Sequence, residues 1–376
     1  MASLEQVRQL AAGHGLVLLG VSGAQALQHG REAVERWVAA GHAAGLGYME
    51  RRPGERADPQ QRMPWLRSIV SVAVPYGGPD LPFEHEQRYG RVARYAWGRD
   101  YHDVLLPRLR ALAASLAGLL GANEARAACD HSPLLERGFA ERAGLGFAGK
   151  NTCLIRPGHG SWFLLGEVLT DLELEATPPA TPAPGCGACT RCLVACPTGA
   201  LPAPGVLDAR RCISTWTIEV QAPIPHALRE RMGAWVFGCD ACQDPCPYNG
   251  LDVLEAFPGL APEAGVGPRL DLAATLALRS DLAFARRFAA TSLLRAGRAG
   301  VLRSAAVVAR NIGAAGAVPA LEACVREDGA PVVRSHALWA LAGLDAGRAR
   351  PWLERARRDR DAGVRAEAEA LLAGAA

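Results

Sequence analysis

The run Cys186-Gly-Ala-Cys189-Thr-Arg-Cys192-Leu-Val-Ala-Cys196-Pro197 sets four thiols at intervals of two, two and three residues and closes on a proline. That is the C-x2-C-x2-C-x3-C-P spacing with which bacterial two-cluster ferredoxins hold 4Fe-4S clusters. A second run, Cys239-Asp-Ala-Cys242-Gln-Asp-Pro-Cys246-Pro247, also ends on cysteine and proline, and Cys212 stands between the two, so eight of the eleven cysteines make two sets of four. In this spacing the cysteine before the proline ligates the other cluster. Cys186, Cys189, Cys192 and Cys246 are therefore expected on one cluster, and Cys196, Cys212, Cys239 and Cys242 on its partner. Paired C-x2-C hooks also make structural zinc sites, but eight thiolates in this order fit an electron-transfer module better. Disulfides are not expected, because the opening Met1-Ala-Ser-Leu-Glu-Gln reads as a capped helix and not as a basic export signal with an apolar core. Cys129, Cys153 and Cys324 fall outside the runs and are expected to be small buried core residues.

Upstream of the cysteines, the first 175 residues alternate between helix and strand patterns. Residues 3–12 predict a capped helix, 16–21 a buried strand, and 31–43 a second helix with Trp37 and Val38 on its apolar side. The β-branched run 68–74 suits a central strand and is followed by the turn residues Pro75, Gly77, Gly78 and Pro79. A long amphipathic helix is expected over 101–120, and strands over 152–155 and 161–169. The pattern predicts an α/β domain over 1–176, a mixed sheet covered by helices. Residues 177–185, with four prolines, read as an extended connector, and a ferredoxin-like double 4Fe-4S domain is assigned to 177–260. In the remaining part, 261–376, Val301-Leu-Arg303-Ser-Ala-Ala, Val332-Val-Arg334-Ser-His-Ala and Gly363-Val-Arg365-Ala-Glu-Ala recur 31 residues apart, each opening an apolar helical stretch. Ala317-Val-Pro-Ala-Leu-Glu starts a companion helix. Paired helices at this period, shorter than the usual ~40 residues, predict HEAT-like repeats stacked into an α-solenoid.

The 376 residues carry a net charge of +3 and are 49% apolar, enough for two or three soluble cores, and no apolar run approaches a membrane span. No membrane association is expected. From Arg286 onward fifteen arginines face nine Asp or Glu, a balance of +6. A basic solenoid points to a polyanion such as RNA or DNA, with Arg295, Arg298, Arg303 and Arg310 as the expected grip on its backbone; a solvated, ion-paired surface that only caps the rest is the plainer alternative. Of forty-one basic residues only Lys150 is not arginine. Arginine-favouring base composition explains the bias, and the one retained lysine marks a place where a planar guanidinium does not replace a compact ammonium.

Gly144-Leu-Gly146-Phe-Ala-Gly149-Lys150-Asn151 satisfies G-x-G-x-x-G and nearly satisfies the phosphate-binding G-x4-G-K-[ST]. Both fingerprints need a strand before the loop and a helix after it. Here 132–143 reads as an exposed helix, a strand follows, and Asn151 replaces the hydroxyl that would hold magnesium, so no nucleotide is expected. Cys129-Asp130-His131-Ser132-Pro133 offers a carboxylate that could simply cap the next helix. Arg94-Tyr-Ala-Trp-Gly-Arg-Asp100-Tyr101-His102-Asp103 is dense in groups that donate or accept protons, and could equally be a helix start with His102 partly exposed.

In order along the chain, Arg94-Tyr-Ala-Trp-Gly-Arg-Asp-Tyr101-His102, then Asp130-x-Ser-Pro, then Glu141-Arg-Ala-Gly-Leu-Gly-Phe-Ala-Gly-Lys150-Asn151-Thr152, then the double-cluster cassette with Arg211-Cys212-Ile-Ser214 closely resemble the epoxyqueuosine reductases, over essentially the whole chain. The resemblance implies an N-terminal cobalamin-binding domain, two 4Fe-4S clusters, and reduction of epoxyqueuosine at the wobble position of a tRNA anticodon stem-loop to queuosine. It further implies a cytoplasmic monomer fed by a flavodoxin- or ferredoxin-type electron donor. Removing the epoxide oxygen as water takes two electrons and two protons. No side chain supplies low-potential electrons, so these fall to the clusters and the corrin, while the protein must protonate the departing oxygen. By similarity Asp130 is the donor, its pKa raised by burial against corrin and substrate, with Tyr101 and His102 assisting. Arg56, in Glu55-Arg56-Ala-Asp58-Pro59, matches a family position beside the corrin, and Lys150, Asn151, Leu154, Leu165 and Ser214 are expected around it as well. Some members carry a cysteine near the cobalt where this chain has Ala93. Reductive dehalogenases share fold and cofactor but typically carry a twin-arginine signal, which the opening residues do not resemble. A ferredoxin-type electron carrier with a HEAT scaffold would bind no corrin and would leave the first 175 residues without a task.

Overall fold

The computed structural model describes residues 2–77, 86–130, 132–178, 185–250 and 254–374. The chain forms two compact units, each assembled from separated segments: Met1–Pro79, Arg99–Arg210 and Ala241–Ala261 in the first, Asp80–Gly98, Arg211–Asp240 and Pro262–Ala376 in the second. Gly78 and Pro79 of the expected turn, residues 179–184 of the expected connector, and His131 lie outside the described residues.

In the first unit, strands β1 (Leu18–Gly23), β2 (Ser68–Pro75), β3 (Ala125–Ala128) and β4 (Phe163–Thr170) form one sheet in the order β1-β2-β4-β3. Every pairing is antiparallel, which corrects the expected mixed sheet. Alternating helix and strand patterns are common to parallel crossovers and to antiparallel sheets with helical connections, so the pattern alone does not separate them. The two central strands, β2 and β4, are buried along most of their length, which is why they read as near-continuous apolar runs. Strand β3 has the sequence Ala-Arg-Ala-Ala, without β-branched or aromatic residues, and exists because it pairs with the edge of β4.

Helix α1 (Leu4–Ala12) begins at Ser3 with a reciprocal capping box to Gln6, as its sequence predicts, and α2 (Gln28–Ala39) follows β1. Helix α3 (Tyr101–Leu120) begins at Asp100, whose carboxylate accepts from the His102 amide, and ends at Gly121 in left-handed conformation. It packs on the sheet face where Gly166 lies, and a Cβ there would stand 2.6 Å from Leu109 Cδ1. Helix α4 (Glu136–Arg142) buries Phe139 and Ala140, which cluster with residues of the opposite face, among them Leu169 and Ala73. Of the strand expected over 152–155 only Leu154–Ile155 forms, paired with Phe147–Ala148.

The second unit holds a three-stranded sheet, Trp235–Phe237, Tyr89–Val92 and Arg269–Asp271 in that order, and helices α5 (Gly297–Asn311), α6 (Val318–Glu327), α7 (Pro331–Leu344), α8 (Ala346–Ala356) and α9 (Ala362–Ala373). Helix α7 packs against each of the other four. The repeats at Val332 and Gly363 begin one residue inside α7 and α9, whereas Val301 lies a full turn into α5. No helix among the described residues is long and apolar enough to cross a membrane.

The arginines expected to grip a polyanion are mostly structural, a correction with a plain cause. Arg303 is 1% exposed and donates to the carbonyls of Val220 (2.9 Å), Ala222 (2.6 Å) and Trp216. Arg298 makes a two-pronged bond to the buried Asp328 at 2.7 and 2.9 Å. Arg310 lies over the Trp339 ring at 3.9 Å and Arg295 pairs with Glu219 at 3.0 Å. Arg298, Arg303 and Arg334 are thus held inside the helical layers, while most other arginines of this part, Arg355, Arg357 and Arg358 among them, are exposed.

Candidate functional site

Two elements of the first unit converge on a carboxylate. The start of α3 presents Tyr101 and His102, and the turn after β3 presents Asp130. The Tyr101 hydroxyl donates to Asp130 Oδ2, and His102 Nε2 stands 2.8 Å from Asp130 Oδ1. On its other side His102 Nδ1 lies 2.8 Å from Asp100 Oδ1, the oxygen that also accepts the His102 amide at 2.9 Å. Hydrogen bonds to Asp100 and then Asp130 push His102 up to about 9 against the effect of burial, so the imidazole is a cation at neutral pH. Burial would raise the Asp100 carboxyl, but its bonds from His102 prevail and hold it below the ordinary range. Asp130 is no helix cap, since the N-cap of α4 is Leu135. It sits in left-handed backbone, φ +42°, a conformation that Asp tolerates better than most residues. Its side chain is 36% exposed, so the chain by itself does not bury it as expected. A carboxyl group held by a hydroxyl and an imidazolium, with part of its surface open, can pass a proton to a ligand oxygen and be reloaded.

Behind Asp130 lie two residues that sequence reading passed over. Glu136, the first residue of α4, accepts the Asp130 amide at 2.5 Å through Oε1, and α4 packs on the sheet face that carries Glu167 of β4. Burial, then the charge of Asp130, pushes Glu136 up to about 7; burial, then the charge of Glu136, raises the fully buried Glu167 well above the carboxylate range. The exposed helix expected over 132–143 is corrected accordingly: it starts at Glu136 and turns Phe139 and Ala140 inward. The available signal was a lone acid in the apolar strand Phe163–Thr170.

Cys186, Cys189, Cys192 and Cys246 line one cavity of about 420 Å³ in the first unit, together with Lys150, Asn151 and Tyr248. The Lys150 amide approaches Cys186 Sγ at 3.4 Å, and the Ala200 amide approaches Cys196 Sγ at 3.2 Å. Lys150 Nζ donates to Gly187 O at 2.7 Å, and Asn151 Nδ2 donates to Cys242 O at 3.2 Å. Of the other expected set, Cys196 and Cys242 belong to the first unit and Cys212 and Cys239 to the second. Cys129 and Cys324 are buried as expected, but Cys153 is only half-buried. The glycine motif serves packing: a Cβ at Gly146 would stand 2.4 Å from Ile155 O, so glycine lets the small hairpin close.

Arg56, on the short helix Pro53–Ala57, donates to Tyr48 O at 2.7 Å, and its carbonyl accepts the Leu135 amide at 2.8 Å, tying it to the segment that follows Asp130. Its Nε is buried with no acceptor among the described residues. Leu154 lies in an apolar cluster with Ala140 and Phe163, against which Leu165 packs. Ser214 belongs to the second unit, where its carbonyl accepts Thr217 Oγ1 at 3.3 Å. Asp130, Tyr101 and His102 thus form one group with Arg56 tied to its far end, Lys150 and Asn151 stand at the cysteine cavity, and Leu154 and Leu165 build core.

Residues 185–249 match the family model of a 4Fe-4S double cluster binding domain, which accounts for two iron-sulfur clusters. Residues 56–131, a span that includes Arg56, Tyr101, His102 and Asp130, match the model described as Epoxyqueuosine reductase QueG, DUF1730. The chain is 44% identical to the epoxyqueuosine reductase of Gloeobacter violaceus over 251 residues, 65% of this chain and 75% of that one. It is 37% identical to that of Synechocystis sp. over 268 residues, 70% and 89% of the two chains. A crystal structure of epoxyqueuosine reductase with a tRNA-Tyr epoxyqueuosine-modified stem loop superposes with a TM-score of 0.90 at 30% identity, over 98% of this chain and 97% of that one. The enzyme from Bacillus subtilis, solved with its catalytic aspartate loop swung out of the active site, gives 0.89 at 30% identity over 98% of both chains.

Proposed function

The chain belongs to the epoxyqueuosine reductase family of oxidoreductases, and on that premise we propose that it reduces the epoxide of epoxyqueuosine in a tRNA anticodon stem-loop to the alkene of queuosine, with Asp130 as proton donor. The observation that carries this reading is Asp130 held between the Tyr101 hydroxyl and the His102 imidazolium, within the stretch that matches the family model. The reaction breaks a carbon–oxygen bond twice and releases water, so two electrons and two protons enter. Asp130 delivers to the departing oxygen a proton that it takes from His102, a cation at neutral pH. Cobalamin, when bound, would supply the metal centre that brings electrons to the epoxide. Arg56 fits such a group, because its buried, unpartnered Nε offers a donor to the carbonyls of corrin side chains. Lys150, Asn151 and Ser214 complete its proposed surroundings, with Leu154 and Leu165 shaping them through the core they build.

The eight cysteines hold the relay by which electrons arrive singly, from a flavodoxin- or ferredoxin-type donor. The packing of α5 to α9 supports reading 261–376 as a HEAT-like α-solenoid, beside a cobalamin domain over 1–176 and a ferredoxin-like domain over 177–260. The relative solved with a stem loop supports a tRNA partner for a cytoplasmic, monomeric enzyme. Anaerobic reconstitution followed by cobalamin titration tests the reading. Stoichiometric binding that weakens in Arg56→Met is expected; a reconstituted parent that binds no corrin would remove cobalamin from the account.

A further inference from the structure

Glu167 stands in the middle of β4, opposite Ser71 on β2 and Ala128 on β3. Leu165 and Leu169, two residues to either side on the same face, belong to apolar clusters with Ala140 and Phe139. Glu167 is 0% exposed, and no N–H or O–H among the described residues donates to either of its oxygens. A carboxylate there would be charged, dry and unpaired, so the group is a neutral acid whose own O–H needs an acceptor. The carboxyl beside it is that of Glu136, at the start of the helix packed on this face, whose Oε1 accepts the Asp130 amide at 2.5 Å. The two carboxyls thus lie between the centre of the sheet and the backbone of Asp130, which sits in left-handed conformation at φ +42°.

We propose that Glu167 and Glu136 form a shared-proton carboxyl latch that fixes the Asp130 turn against the sheet and thereby sets the Asp130 carboxyl between Tyr101 and His102. Both act through Asp130 and are positioning residues. The inference rests on Asp130 as proton donor only for its effect on turnover. The groups facing the pair are Asp130 and Cys129 on the turn, Arg137 on α4 and Arg56 on the short helix before β2. The arginines favour one ionised carboxylate, and the acids oppose a second. Folding raises both carboxyls, so what the pair contributes is full at acid pH and is lost as pH rises through about 7 and beyond.

Hydrogen-exchange mass spectrometry on the anaerobically reconstituted protein, following the peptide that carries the Asp130 amide, tests the latch directly. Glu136→Ala and Glu167→Ala should exchange that peptide about tenfold faster or more, the scale of one charge-assisted hydrogen bond. Their kcat should fall while KM for the stem-loop holds. Glu167→Gln, whose amide N–H still donates to Glu136, should stay within about threefold of the parent. Above about pH 7 the parent should gain exchange beyond the intrinsic base-catalysed rise, and Glu167→Gln should not, an arm that needs no destabilised variant. Parent-like exchange in folded Ala variants, Glu167→Gln as loose as Glu167→Ala, or no excess exchange in the parent would each overturn the latch. Normal turnover in Asp130→Asn would instead end the catalytic reading of Asp130 and leave the exchange results standing.

Discussion

His102 Nε2 stands 2.8 Å from Asp130 Oδ1, so cation and carboxylate at this site are a hydrogen-bonded pair before any ligand arrives. The pair needs Asp100, which fixes the far side of the ring at 2.8 Å and holds the tautomer question closed by making both ring nitrogens donors.

The charge on His102 is measurable. Its folded-state value of about 9 lies above its ordinary 6.5, so its contribution to stability is complete below about 6.5 and is lost as pH rises through about 9. The unfolding midpoint of the parent should exceed that of His102→Gln most at about pH 6 and converge with it by about pH 10. In Asp100→Asn, an NMR titration should find the imidazole moved back toward its ordinary value. A difference between parent and His102→Gln that stays constant across the range would mean that the ring is never the cation assigned here.

Iron content checks the cysteine sets. The anaerobically reconstituted parent should hold about eight irons per chain. Cys246→Ala removes one thiol from the 420 Å³ cavity and should cost the cluster shared with Cys186, Cys189 and Cys192, leaving about four. A fully reconstituted parent with about four irons contradicts the double-cluster assignment.

The buried arginines of the helical unit predict a stability effect where the sequence suggested an affinity effect. Arg298→Ala would strand the Asp328 carboxylate, whose side chain is 0% exposed, at a cost of ~3–5 kcal/mol. Arg303→Met would leave the carbonyls of Val220 and Ala222 without their donor. Chemical denaturation should show both losses, while the salt dependence of stem-loop binding stays that of the parent. Unchanged stability with a shallower salt slope would restore these residues to the RNA surface.

What the sequence made legible was what local chemistry enforces. The thiol spacing announced the clusters, Ser3 and Asp100 announced the starts of α1 and α3, and Ser68–Pro75 announced a central strand. Strand β3 was invisible because Ala-Arg-Ala-Ala acquires its conformation from its partner and not from its own preferences. The antiparallel order was invisible because strand direction is set by how connections return, which residue patterns do not encode. The cap that Asp130 offered as an alternative to its role as donor is excluded by the helix starting after Leu135. Glu136 and Glu167 were unreadable as a pair, since an acid in a strand and one in a helix meet only when the sheet and α4 are packed together. Arg298 and Arg303 were misread because charge counts say nothing about which guanidinium groups face inward.

The most direct test is turnover of an anticodon stem-loop carrying epoxyqueuosine, read by mass spectrometry, for the reconstituted parent and for Asp130→Asn. The parent should convert the modified base to the product lighter by one oxygen. Asp130→Asn keeps the size and an acceptor oxygen but cannot deliver a proton, so its turnover should fall by about two decades or more, with iron content and cobalamin binding intact. A parent that carries its clusters and corrin yet leaves the epoxide untouched, or an Asp130→Asn protein that reduces it as fast as the parent, would contradict the account.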